Sequence, residues 1–161
     1  MANEFSVKDL CALTEGQLAA LRKLRVSEHQ EVLGKSFLES VADWDNAPEG
    51  EVLGLCFLLD VQPIGMTLFR RQNALKSRTV SVHGLKIAIP WQRRGYGHQA
   101  FLQAVAHMKS VWPDAETLKL AVDAKNTPAL AIYRRFGMSD SGPAFDGPNG
   151  KEHHMEKSLR S

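Results

Sequence analysis

The 161-residue sequence has only two cysteines, Cys11 and Cys56, with no CxxC and no metal-ligand spacing. That excludes a disulfide-stapled scaffold and a zinc ribbon, and it points to a reduced, cytoplasmic protein with no metal. No segment approaches the roughly 18 apolar residues of a membrane span. Met1 to Leu10 carries Glu4 and Asp9 and lacks the apolar run of a signal peptide, so a membrane is not an expected partner. The net charge is only +2 and aromatics make up 7% of the chain. That is too mild a charge and too sparse a stacking surface to expect nucleic acid. Internal repeats, low-complexity tracts and linkers are missing, so a single domain over residues 1–161 is expected. What is present is a globular balance of 43% apolar and 24% charged residues. The charges are uneven. Glu39, Asp43, Asp45, Glu49 and Glu51 precede a basic run of Arg70, Arg71, Lys76, Arg78, Lys86, Arg93 and Arg94.

Periodicity gives the elements. Phe5 to Cys11 reads as a short strand. Thr14 and Gln17 fit a capping box ahead of the Leu18, Leu21, Leu24 stripe. A second helix is expected around Gly34 to Val41, then a loop from Asp43 to Glu51. Glu51 to Asp60 and the run through Phe69 form a hairpin about Val61 and Gln62. A polar connection, Arg71 to Ser77, leads to a strand from Arg78 to Ile89. Phe101, Ala104, Val105 and Met108 mark a helix over Gly97 to Val111, closed by Pro113. In Thr117 to Asp123, Leu118, Leu120 and Val122 face inward, with Lys119 and Asp123 outward. Thr127 is expected to cap a short helix with Pro128 first, ended by Gly137. The tail from Met138 to Leu159 reads as a strand pair bent at Gly147 to Gly150. The order is β-α-α-β-β-β-α-β-α-β-β: a mixed α/β fold, with a sheet of about seven strands flanked by helices.

The stretch IAIPWQRRGYG, Ile87 to Gly97, joins a strand to a helix. A helix start leaves backbone N–H groups unpaired and partly positive, which suits an anion. Gly95 and Gly97 let a bulky group approach the backbone, and Arg93 and Arg94 add charged donors. Neither a dinucleotide-binding GxGxxG nor a Walker GxxxxGK[ST] is present.

QRRGYG resembles the Q/R-x-x-G-x-G/A signature of the GNAT superfamily of N-acetyltransferases. LKIAIP before it resembles that family's central strand, and LAVDAKNTPALAIYRRFGM after it resembles the next strand, asparagine loop and tyrosine helix. The resemblance runs from Ile64 to Met138 and implies a GNAT-like fold with acetyl-CoA as co-substrate. It implies that the backbone of Ile87, Ala88 and Ile89 pairs with the pantetheine arm. Gln92, Arg93, Arg94, Gly95, Tyr96, Gly97 and His98 would hold the diphosphate, with Asn126 and Ala129 beside the arm. It also allows a homodimer through the C-terminal strands. A non-catalytic CoA-binding module on the same fold is the alternative.

On the last helix Ala129, Ile132, Tyr133 and Phe136 share a face. A phenol titrates near 10 and stays protonated at neutral pH, so the resemblance makes Tyr133 the general acid toward the departing sulfur. The acceptor amine needs the opposite service. Fewer than about one alkyl ammonium in a thousand is deprotonated at pH 7. Relatives often keep a carboxylate at the position of Leu85, and this chain does not. His83, two residues earlier and expected on the same strand face, is the candidate base. His153 and His154 are further choices, and Lys86 serves only if buried. The segments LRVSEHQEVLGKSFLESVADW and FDGPNGKEHHMEKSL loosely resemble the bacterial diamine (spermine/spermidine) branch. That implies a small amine or polyamine acceptor met by Glu28, Glu31 and Asp43.

Overall fold

The computed structural model describes residues 3–71 and 77–160. The middle of the expected polar connection, Lys76 included, lies outside the described residues. The elements are β1 (Phe5–Asp9), α1 (Glu15–Lys23), α2 (Glu28–Leu33), α3 (Phe37–Asp45), β2 (Val52–Leu59), β3 (Gln62–Arg70), β4 (Thr79–Ile87), α4 (Tyr96–Val111), β5 (Thr117–Asp123), α5 (Thr127–Phe136), β6 (Ser139–Asp140), β7 (Phe145–Gly147) and β8 (Gly150–Ser158). The mixed sheet has eight strands, ordered β1-β2-β3-β4-β5-β8-β6, with β7 on β8. Among the described residues only β4 and β5 run parallel.

Local chemistry accounts for the departures from the expected order. The helix expected from Gly34 to Val41 runs from Phe37 to Asp45, and a further helix, α2, precedes it. Ser27 and Ser36 each close a capping box, with Gln30 and Glu39, and Gly34 ends α2. Asp43 and Asp45 therefore sit on α3 rather than in a loop. The first strand stops at Asp9, whose carboxylate accepts from the Cys11 N–H and opens a 3-10 turn. Thr127 does not cap α5. Asn126 does, its Oδ1 accepting from Ala129 N at 3.4 Å, and Pro128 follows Thr127 inside the first turn. Asp123 is buried rather than outward, and one carboxylate oxygen turns back to accept from Lys125 N at 2.8 Å.

Helices cover both faces of β2 and β3, which explains their unbroken apolar runs. Leu55, Phe57, Val80 and Val82 meet Phe101, Met108 and Leu130 of α4 and α5. Cys56, Leu58, Met66 and Leu68 meet Leu21, Phe37 and Val41 on the opposite face. Each fully buried Phe or Leu adds about 1.5–3 kcal/mol to the fold.

One irregularity positions everything that follows. Leu68 pairs with His83 but Met66 pairs with Lys86, so Thr67 alone faces both Gly84 and Leu85. Gly84 takes φ +67, a left-handed conformation that suits glycine, and makes a β-bulge. The extra residue flips the alternation. Val80 and Val82 face α4, and so do Leu85 and Ile87, whereas Lys86 and Ala88 face α3. His83 therefore does not share a face with Leu85, contrary to the simple two-residue count.

Candidate active site

β4 and β5 pair over only three positions, Thr79–Thr117, Val80–Leu118 and Ser81–Lys119. Beyond them β5 stays with β8 through seven register pairs, out to Asp123–Glu152. The bulge twists β4 away. From Val82 onward the β4 edge that faces β5 has no strand partner among the described residues. A slot of about 460 Å³ opens there, lined by Leu85, Lys86 and Ile87 on one side and by Asn126, Pro128, Ala129, Ala131, Ile132 and Arg135 on the other. An unpaired strand edge offers N–H and C=O groups to an extended amide chain.

The slot ends at the turn into α4. Arg93 (φ 62) and Gly95 (φ 83) are both left-handed, which curls successive N–H groups into a concave, anion-binding shape. α4 begins at Gly95 with no side-chain cap and no acid in its first turn, so its dipole faces the slot unopposed. Gln92, Arg93, Gly95, Gly97 and His98 line this end, and the buried Nδ1 of His98 has no partner among the described residues. These features fit a diphosphate.

The two glycines do different work. A Cβ at Gly95 would meet nothing within 4 Å, so its role is backbone conformation. A Cβ at Gly97 would lie 2.6 Å from Ile132 Cδ1, so its role is the close approach of α5.

Several expected contacts fall outside the slot. Ala88 is fully buried on the α3 side and its N–H donates to Ile64 O at 2.8 Å. Ile89 is exposed on a 3-10 turn and its N–H donates to Arg25 O at 3.0 Å. The available strand edge is therefore Leu85 to Ile87. Tyr96 stacks on Phe5 at 6.0 Å and does not line the slot; Arg94 does not line it either. Gln92 lines it while donating through Nε2 to Ile87 O at 2.8 Å and Gln30 Oε1 at 3.0 Å.

Tyr133 lies on the slot-side helix but outside the lining, 6% exposed and edge-on to Phe101 at 5.2 Å. Burial pushes its phenol well above the ordinary value, so it stays protonated.

A second cavity, of about 310 Å³, lies between α3 and the sheet. It shares Gly34, Lys35 and Gly84 with the slot, so the two meet there. Its other walls are Ser40, Asp43, Val52, Leu68, Arg70 and His83. His83 thus belongs to this cavity and not to the slot. Its ring nitrogen lies 2.8 Å from Ser81 Oγ, and surrounding protein together with the charges of Arg70 and Lys35 holds its pKa below the usual 6.5. His153 pairs with Asp140 and His154 packs edge-on against Phe145, and neither lines either cavity. Among the acidic candidates, Asp43 lines the cavity but is paired with Lys35 at 2.5 Å. Glu31 is paired with Arg25 and Glu28 lines neither space.

Lys86 stands at the junction. It is 9% exposed, its ammonium donates to Ser40 Oγ at 2.6 Å and Gly84 O at 2.9 Å, and burial lowers its pKa to about 8. The sequence reading admitted Lys86 as a base only if buried, and the structure buries it. That reading missed Arg135, although 128, 131, 132 and 135 follow the spacing of one helical face.

The sequence profile of the Acetyltransferase (GNAT) family matches residues 18–138. No curated protein sequence is similar enough to count as a relative. Several solved structures share the fold. An aminoglycoside acetyltransferase in complex with coenzyme A and kanamycin is 14% identical, with a TM-score of 0.72 over 97% of this chain and 95% of that one. Spermidine N-acetyltransferase from Vibrio cholerae, in complex with CoA and spermine, is 16% identical, with a TM-score of 0.74 over 96% of this chain and 95% of that one. An acyl-CoA N-acyltransferase from Pseudomonas aeruginosa is 18% identical, with a TM-score of 0.70 over 97% of this chain and 99% of that one. The profile match covers most of the chain, and the splayed strands and uncapped helix lie inside it: the protein belongs to the GNAT family of acetyltransferases.

Proposed function

We propose that this chain moves an acetyl group from acetyl-CoA to the amine of a small acceptor by direct attack. The observation that carries this reading is the meeting of two spaces at Gly84. One is a slot with a free strand edge and an anion-binding turn; the other is a cavity of small-molecule size. In this reading Leu85 to Ile87 pair with the extended arm of the co-substrate, and Arg93, Gly95, Gly97 and His98 hold its diphosphate. Asn126 and Ala129 bound the opposite wall, and Arg135 adds a positive charge there. Bound acetyl-CoA supplies the activated acyl group.

The acceptor amine enters through the second cavity, where exclusion of water favours its neutral form. His83, kept neutral at pH 7 by its surroundings, takes the proton the amine sheds. Tyr133 donates its phenolic proton to the sulfur as charge develops there. The polyamine version of the acceptor is supported by the likeness to the spermidine enzyme. The pairing of Asp43 and Glu31 with cations weighs against it. The 161 residues act as one domain, in the cytoplasm, and self-association through β7 and β8 belongs to the same reading. Among the described residues no helix is long and apolar enough to cross a membrane.

The test is release of free thiol from acetyl-CoA over a panel of amines at several pH values, with mass detection of the acetylated product. Saturable, amine-dependent release supports the reading. CoA binding without release on any amine would leave a CoA-binding module instead.

A further inference from the structure

The charges around the acceptor cavity are not those of a site for polycations. Lys35 and Arg70 line it, and Lys86 reaches its wall through Ser40 and Gly84. Asp43 is the one acid in the lining, and Lys35 already holds it. Arg70 comes no closer to Glu51 than 3.5 Å, and Glu51 is not part of the lining. No other carboxylate among the described residues pairs with Arg70. Lys86 has only neutral hydrogen-bond partners, a hydroxyl and a carbonyl, and no carboxylate within ion-pairing distance among the described residues. Asp43 and Glu39 attract its charge from beyond ion-pairing distance, but the cost of burying the ammonium outweighs them. The cavity has two further properties: Val52 and Leu68 give it an apolar side, and His83 is uncharged. The unmatched quantity is negative charge.

We infer that the acceptor is an amine that also carries a carboxylate, with the carboxylate held by the Arg70 guanidinium and drawn by Lys86. The inference rests on the acetyl-transfer reading and narrows it to amino carboxylic acids. Arginine suits this role because its planar fork matches a carboxylate with two parallel hydrogen bonds. A polyamine brings further positive charge against Arg70 and Lys86, the cations that Asp43 does not hold. An amino acid brings the missing anion and a single amine, which is directed toward the slot where the cavities join.

Matched acceptors test it by calorimetric binding: α-amino and ω-amino acids, the amide and methyl ester of each, and spermidine. Titrations are run with and without CoA, so the outcome does not depend on turnover. At least one free acid is expected to bind tenfold or more tighter than its own amide and ester, with spermidine weaker than that acid. Arg70→Gln should bring the acid-to-amide ratio close to one, and Arg70→Lys should restore part of it, while CoA affinity stays at the wild-type level in both. If no acid outbinds its amide, if spermidine binds tightest, or if Arg70→Gln leaves the ratio intact, the inference is overturned. CoA titration alone reports separately on the acetyl-transfer reading. Loss of CoA binding sinks that reading, whereas a preference for uncharged amines with CoA bound sinks only the carboxylate.

Discussion

Replacing Lys86 with methionine removes a buried charge and keeps an unbranched side chain one atom shorter. In the folded protein burial pulls the Lys86 ammonium from 10.5 to about 8, the positive charge of Lys35 adds to this, and Asp43 and Glu39 oppose it. In the unfolded chain the group returns to an ordinary value near 10.4. Below pH 8 both states hold the proton, and the folded state bears the whole cost of burying the charge. Between the two values the unfolded chain keeps a proton that the folded chain has shed, so unfolding free energy rises with pH. The full gap corresponds to roughly 3 kcal/mol, and the part crossed between pH 7 and 9.5 to about 2 kcal/mol. Methionine does not titrate and lacks this rise. At pH 7 loss of the charge stabilises, while stranding Ser40 Oγ and Gly84 O costs about 1–3 kcal/mol each. The sign of the change at one pH is therefore less informative than its slope. Urea unfolding of both proteins at pH 7 and 9.5 should show the native sequence rising by about 2 kcal/mol relative to Lys86→Met. A difference that is flat over this range would mean that Lys86 titrates normally, and the argument for an unbalanced cation at the cavity wall would fail.

Tyr133→Phe keeps the contact with Phe101 and removes only the phenolic donor, so steady-state kinetics should show kcat lowered by about 10²-fold or more with little change in KM for acetyl-CoA. Unchanged kcat would remove Tyr133 from the chemistry. Arg93→Ala should weaken CoA binding by about tenfold or more, through loss of a charged donor. Arg94, which does not line the slot, should tolerate alanine within about twofold by the same titration. Equal losses would place the diphosphate elsewhere. Gly84→Ala forces a Cβ into a left-handed conformation, 3.0 Å from Lys86 Nζ and 3.2 Å from Ser40 Oγ. It should lower unfolding free energy by about 1–2 kcal/mol. The acceptor KM should also rise, because the bulge sets the cavity wall.

The core helices and the β2–β3 hairpin could be read from sequence because their signals are local: capping boxes, helical spacing of apolar residues and closing glycines. The same holds for the strand-to-helix turn, whose glycines and arginines needed only a free helix start. The face of each residue in β4 could not be read this way. It depends on whether Gly84 continues the pleat or breaks it, and a lone glycine in a strand allows either. That choice separates His83 from Leu85 and sends Lys86 into the interior. The acidic residues misled for a different reason. A sequence shows Glu31 and Asp43 as charges but not the Arg25 and Lys35 that occupy them. Asn126 was recognised for the slot, but its cap was assigned to Thr127, one residue late, where the two candidates stand side by side.

Amide hydrogen exchange with and without CoA addresses the central claim most directly, namely that the gap between β4 and β5 with the turn beyond it is the co-substrate site. Protection on adding CoA should concentrate at Leu85 to Ile87, at Arg93 to His98 and at the start of α5. The outer strands β1 and β2 should be unchanged. Protection that misses the β4 edge and the turn while appearing elsewhere would contradict the assignment.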